Sequence, residues 1–402
     1  MKIAELKTWI VGNPPPYFGG RYFIFVKLTT ACGVHGYGEV YAASFKPQTI
    51  ITMVEDVFSR EIEGMDPFHI EAMWRKVYGR GYTLRPDVSL MGVLSGLECA
   101  LWDIQGKALG KPVYELLGGL VHPRMRTYSY IYPREDQGTA YSDHDIYVNP
   151  DKSAERALEY VAQGFNALKF DPMDLYGVFD PRQPSVEELD RAELFCGRLR
   201  EAVGDRADLL FGTHGQYTPS GAIRLARRLE KFDPLWFEEP TPPEMPEEMA
   251  KVARQTSIPI ATGERLCTKY EFARVLETGA ASILQMALGR VGGLWEAKKI
   301  AGMAEAHYAQ LAPHLYCGPI EGAANAALAF ASPNALILES IERWDGFFAQ
   351  LLTKSLVWED GYLLPSTEPG LGIELNEDVA DAHPWNGDEL HLVPLYVSPY
   401  AK

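Results

Sequence analysis

From about residue 125 to residue 350 the chain alternates between two hydrophobic patterns. Short apolar or β-branched runs (MRTYSYIY, NALKFDP, DLLFGTHG, PLWFEEP, IPIATGER, SILQMAL, AQLAPHL, ALILESIE) read as eight strands. Between them lie seven stretches with apolar residues at three- and four-residue spacing, from ERALEYVAQG to AANAALAFA, which read as helices. Strands that are apolar along nearly their whole length belong in a parallel sheet covered on both faces. Eight such units in so short a stretch suit a closed barrel better than an open doubly wound sheet. No GxGxxG follows a first strand, which counts further against a dinucleotide fold.

The flanks read differently. Residues 1–60 look like antiparallel strands, with KIAELKTWIVG and RYFIFVKLTTACGVHGYGEVY as clear runs and GVHGYG as the turn. Helical stretches FHIEAMWRKVYG and VLSGLECALWDIQGKALG follow. The fold class is therefore α/β, with an α+β unit over residues 1–124, the barrel over 125–350, and a tail over 351–402 that returns to the first unit.

Composition narrows the function. The 402-residue chain carries a net charge of −16, which argues against a nucleic-acid partner, whose phosphates need a basic face. Its apolar runs fall short of the roughly 18 residues a membrane span needs, and the N-terminus has no signal-peptide core. Five scattered cysteines, in no metal-ligand spacing, fit reduced packing residues in a cytoplasmic protein.

The chemistry recurs with the barrel's own period. Glu238 ends the fourth strand and Glu264, 26 residues on, ends the fifth. Gly212 lies 26 residues before Glu238 with His214 just beyond it, and His314 and Glu339 end the seventh and eighth strands. Carboxylates converging at the strand C-termini repel unless a cation neutralises them, and oxygen donors suit a hard divalent ion such as Mg²⁺. One such glutamate alone could pair with a rim lysine or arginine; two, one repeat apart, point to a metal. Glu239 then holds a neighbouring basic group. Lys169 ends the second strand, with Asp171 two residues on and facing the same side. Desolvation and a nearby cation would lower the lysine's pKa and make it a base.

These residues resemble the enolase superfamily, in its mandelate racemase-like branch. The resemblance rests on GVHGYGEV, SGLECALWDIQGKALGKPVYELLGG, WFEEP, TGER, GRVGG and APHLY, and covers nearly the whole chain. It implies an α+β cap over a modified (β/α)7β barrel, and a Mg²⁺ that stabilises the enediolate formed when a base removes the proton α to a carboxylate. Glu238 and Glu264 match the second and third metal ligands, Lys169 the first lysine of the K-x-K motif, His314 the seventh-strand histidine and Glu339 the eighth-strand acid.

Three positions depart from the pattern: Asp171 replaces the second lysine, Gly212 the third-strand metal ligand and Ala287 the aspartate that orients His314. His214 is the candidate to fill the coordination gap or to act as acid or base, and water is the alternative ligand. The resemblance implies dehydration of an acid sugar to a 2-keto-3-deoxy acid, with Lys169 or His214 taking the α-proton and His314 or His214 protonating the leaving hydroxyl. An epimerase, racemase or cycloisomerase of the same superfamily, or an impaired relative, are the other readings. Substrate contacts are expected from Asp171 and from Arg21, Tyr82 and Arg85 on the loops 13–23 and 79–87. Loops 133–153 and 171–184 are expected to help close the site. The partners implied are a small-molecule carboxylate and further copies of the chain in a homo-oligomer.

Overall fold

The computed structural model describes residues 1–392 apart from 83, 135, 137–144 and 174–181. Three antiparallel strands come first: β1 (Ile3–Gly12), β2 (Tyr22–Thr30) and β3 (His35–Glu39). Helices α1 (Pro47–Val57), α2 (Ile70–Tyr78) and α3 (Val88–Leu109) follow. The pattern reading of residues 1–60 as strands missed α1. Its stretch PQTIITMVEDV is rich in β-branched residues, yet it starts with a proline and buries Ile50, Val54 and Val57 on one stripe. Tertiary packing overrides the strand propensity there.

Helix α3 is buried from Met91 to Gly106 and forms the centre of the cap. Asp87 caps its start, accepting from the Ser89 and Leu90 amides, and Gly110 ends it at φ 65°. Strand β3 lies directly on it. A Cβ at Gly36 would fall 2.3 Å from the Ala100 carbonyl oxygen, and one at Gly38 only 1.8 Å from that of Gly96. Two of the three glycines of GVHGYG, Gly36 and Gly38, therefore serve close strand–helix contact, beyond the turn that the sequence suggests.

The barrel strands are β4 (Met125–Tyr130), β5 (Ala167–Phe170), β6 (Asp208–Phe211), β7 (Trp236–Glu238), β8 (Ile260–Thr262), β9 (Ile283–Leu284), β10 (Gln310–Leu311) and β11 (Leu338–Glu339). The alternating helices are α4 (Pro150–Ala162), α5 (Val186–Val203), α6 (Pro219–Leu229), α7 (Pro246–Ala253), α8 (Thr268–Thr278), α9 (Leu294–Ala306) and α10 (Pro319–Phe330). Strands β4 to β10 pair in parallel in chain order, and β11 pairs with β4. A bridge between Leu311 and Ala335 completes the ring.

One residue from each strand or its margin fills the interior: Tyr128, Ala167, Leu210, Trp236, Ala261, Ile283, Ala312 and Ile337. Large and small side chains share this layer, as a tapered cylinder requires. The Tyr128 and Trp236 rings meet edge to face at 5.2 Å.

Two glutamates of the cap plug into barrel helices. Glu39 accepts from the Gly318 and Glu321 amides at the start of α10, at 2.5 and 2.9 Å. Glu98 accepts from the Leu294 and Trp295 amides at the start of α9, at 2.7 and 2.9 Å. Each satisfies amides that the helix leaves free and meets the positive end of its dipole. Gly293, at φ 92°, is needed for this fit, since a Cβ there would lie 2.2 Å from Glu98 Oε2. After β11 the tail crosses between both units. Strand β14 (Tyr362–Leu364), which forms a hairpin with β13 (Val357–Glu359), pairs with β4, and β12 (Leu352–Lys354) pairs with β15 (Glu374–Leu375). Glu377 and Pro384 then meet Lys27 and Val11 of the cap.

Candidate active site

Strand geometry carries the candidate groups into one mouth. Successive side chains alternate faces, so the residue two beyond each interior residue faces the same cavity, one layer higher. From Ala167, Leu210, Trp236, Ile283, Ala312 and Ile337 this rule leads to Lys169, Gly212, Glu238, Gln285, His314 and Glu339. Strand β8 adds a step: Gly263, at φ 141°, turns the chain so that Glu264 enters the layer.

Glu238 is fully buried at the centre of this layer. Its Oε1 accepts from Lys169 Nζ at 2.8 Å, and its Oε2 from Gln285 Nε2 at 2.9 Å and Trp236 Nε1 at 3.2 Å. Lys169 Nζ also lies 3.6 Å from Glu339 Oε1, whose other oxygen accepts from the Leu315 amide at 2.8 Å. Glu264 Oε2 lies 3.3 Å from His314 Nε2. Ligand atoms of His214, Glu238 and Glu264 all fall within 4.8 Å of one another.

The charges are unevenly matched. Burial, with repulsion from Glu264 and Glu339, pushes Glu238 up to about 8 against the pull of Lys169. Burial works against the Lys169 ammonium too, but Glu238 and Glu339 outweigh it and hold its pKa well above the ordinary value. The sequence reading expected that pKa to fall. It rises because Lys169 sits among carboxylates with no second lysine, Asp171 standing at that place. Burial opposes the Glu264 charge, yet His314, His214 and Lys169 around it keep its pKa well below the carboxylate range. Burial lowers both imidazoles, His214 to about 3, so each is neutral near pH 7.

Glu239 explains the doublet in WFEEP. It is fully buried and pairs with Arg265 of TGER, through Nε at 2.8 Å and Nη2 at 2.5 Å, while Thr262 donates to its other oxygen. Arg265 Nη2 also donates to the His214 carbonyl at 3.0 Å. Asp171 Oδ2 accepts from Gln216, whose amide oxygen receives the His214 backbone N–H at 2.8 Å. The histidine's backbone is thus anchored from both sides.

His314 shows what Ala287 leaves behind. The two residues sit opposite each other in a parallel bridge, and His314 Nδ1 has no hydrogen-bond partner among the described residues. Instead the imidazole stacks on Tyr41 of the cap, centroids 5.9 Å apart and planes 13° from parallel. Arg290 of GRVGG lies over the same tyrosine at 3.9 Å and donates to the Glu264 carbonyl at 3.1 Å.

The cap loops are less closely engaged. Loop 13–23 reaches the barrel through Phe18, stacked on Tyr132 at 4.7 Å, and carries Arg21, half-buried beside Tyr17. Tyr82, 92% exposed, and Arg85 lie on the surface of loop 79–87. Most of the central parts of loops 133–153 and 171–184 lies outside the described residues. Sequence reasoning missed Gln285 and Tyr41 as neighbours of the cluster. The two-residue rule from Ile283 would have found Gln285; nothing local marks Tyr41, which arrives from another unit.

Fold and cluster define a capped β/α barrel with a candidate metal centre at its strand C-termini. The chain belongs to the enolase superfamily, in the mandelate racemase/muconate lactonizing enzyme branch. Residues 19–118 match the mandelate racemase/muconate lactonizing enzyme N-terminal domain, and residues 152–379 the enolase C-terminal domain-like family. A protein of Ralstonia nicotianae named D-galactonate dehydratase is 37% identical over 390 residues, covering 94% of this chain and 93% of that one. A solved structure from Labrenzia alexandrii DFL-11, assigned to the mandelate racemase/muconate lactonizing enzymes, is 64% identical with a TM-score of 0.94. It covers 98% of this chain and 99% of its own. A mandelate racemase/muconate lactonizing enzyme-like protein from Roseovarius sp. TM1035 is 50% identical with a TM-score of 0.93, 98% of each chain being covered. Among the described residues no helix is long and apolar enough to cross a membrane.

Proposed function

We propose that this chain is a hydro-lyase that dehydrates an acid sugar to a 2-keto-3-deoxy acid. The observation that carries the reading is the meeting of Lys169, His214, Glu238, Glu264, His314 and Glu339 in one buried mouth. Three carboxylates converge on one lysine, and burial, with repulsion from Glu264 and Glu339, raises the Glu238 pKa. That donor set fits a divalent cation, with His214, Glu238 and Glu264 as the residues that would hold it, and Mg²⁺ as the ion the family uses. When bound, such an ion supplies stabilisation of the charge that develops on the substrate carboxylate as its α-proton leaves.

The protonation states assign the remaining roles. Neutral His314 carries one lone pair with which to take the α-proton. Lys169, whose pKa is raised by Glu238 and Glu339 against the pull of burial, keeps a proton to give to the departing hydroxyl. Glu339, fixed by the Leu315 amide, orients the Lys169 ammonium, and Glu264 steadies the imidazole. Asp171 and Arg21 are the candidates to contact the rest of the substrate, with Tyr82 and Arg85 contributing only if loop 79–87 closes.

The test is incubation with a panel of sugar acids and Mg²⁺, D-galactonate and its epimers first, in view of the names of the relatives. A keto acid trapped by semicarbazide supports dehydration. Exchange of the α-hydrogen for deuterium without keto acid would replace it with epimerisation. The second reading, an impaired relative, is favoured by the unpartnered His314 Nδ1 and predicts neither.

A further inference from the structure

Gly212 and Lys169 compete for one space. A Cβ built at Gly212 would fall 2.6 Å from Lys169 Cε, 3.0 Å from Cγ and 3.3 Å from Cδ. The lysine stem therefore lies where a third-strand side chain would begin. Its ammonium is fixed at the far end by Glu238 at 2.8 Å and Glu339 at 3.6 Å. A side chain at 212 can be seated only if the Lys169 stem shifts, and a shifted stem still leaves its ammonium in the cluster beside any new carboxylate.

Both Glu238 oxygens already carry donors. Those on Oε2 come from Trp236, fully buried in the barrel core, and from Gln285, also fully buried. The donor on Oε1 is the tip of a flexible four-carbon stem. Of the three, only Lys169 can withdraw without disturbing the core. We infer that the Lys169 ammonium is a built-in cation, exchanged in this chain for the third-strand carboxylate, and that it competes with a divalent metal ion for Glu238. The inference rests on the metal reading above and sets how tightly this chain holds its metal. Gly212 is then an adaptation to Lys169, and restoring an acid at 212 alone does not restore a binding site.

Calorimetric titration of the full chain with Mg²⁺, and separately with Mn²⁺, tests this without any assay of turnover. Lys169→Met keeps the stem over Gly212 and removes the charge, and it is expected to bind metal at least tenfold more tightly than the native chain. Gly212→Asp alone is expected to bind no better than native, and the double variant Gly212→Asp/Lys169→Ala more tightly than Gly212→Asp. Thermal melts establish that each variant is folded, with Lys169→Gln as the substitute should Lys169→Met fail to fold. Native binding that is lost in Glu238→Gln but unchanged or weaker in Lys169→Met overturns the inference and leaves the metal reading standing. Binding seen only in Lys169→Met supports the inference and overturns the metal reading for the native chain. Binding in neither overturns both.

Discussion

The Tyr41 ring of the cap lies almost parallel to the His314 imidazole of the barrel, centroids 5.9 Å apart. In a chain with alanine at 287, this stack and Glu264 are what hold the seventh-strand histidine. Contact depends on the ring, not on the hydroxyl. Tyr41→Phe should therefore keep kcat within about twofold, whereas Tyr41→Ala should lower it at least tenfold with Mg²⁺ present. Equal losses in the two variants would remove the stack as the reason.

Ala287→Asp offers His314 Nδ1 the acceptor it lacks. A carboxylate there favours the imidazolium and raises a pKa that burial now depresses. His314 as the base must be neutral, so the acid limb of the kcat profile should move to higher pH in this variant. A limb that stays put would show that Nδ1 does not face residue 287.

Glu239 and Arg265 form a buried pair with one exposed flank. Glu239→Gln leaves the guanidinium short of its charged acceptor, and an unmet buried group of this kind costs about 1–3 kcal/mol. The variant should melt several degrees lower, which calorimetry reads directly. Because Arg265 also holds the His214 carbonyl, activity should fall more than stability explains. Arg265→Lys in the otherwise native chain should lose activity as well, since an ammonium cannot bond the Glu239 carboxylate through two nitrogens.

The WFEEP doublet also marks how far sequence reaches. Strand periodicity located every barrel strand, and the period of two from the interior layer carried Lys169, Glu238, His314 and Glu339 to one face. The period assigned Glu238 to the cluster and Glu239 to a neighbouring basic group, but local pattern could not name Lys169 and Arg265 as their partners, because that depends on neighbouring strands. Nor could it give the cause of Gly212, a lysine more than forty residues earlier whose stem fills the space. The motifs SGLEC and GRVGG look independent along the chain. In three dimensions they are two halves of one joint, Glu98 seated at the amides after Gly293.

The same kind of joint at Glu39 makes stability depend on pH. Glu39 and Glu321 are buried close together between cap and barrel, with Cys317 and Arg290 as ionisable neighbours. Burial lifts Glu39 to about 8 and Glu321 to about 7, above the roughly 4.3 of an unfolded glutamate. Between those values the folded chain binds protons that the unfolded chain has released, so stability declines as pH rises through about 7–8. Glu98 and Glu342, also lifted to about 7 chiefly by burial, act in the same direction. The melting temperature should therefore fall between pH 6 and pH 9. Glu321→Gln, which removes one titrating group and spares the Glu39 bonds to Gly318 and residue 321, should make that decline shallower. Parallel curves for the native chain and Glu321→Gln would mean that the alkaline loss arises elsewhere, and that Glu321 does not hold the proton its burial implies.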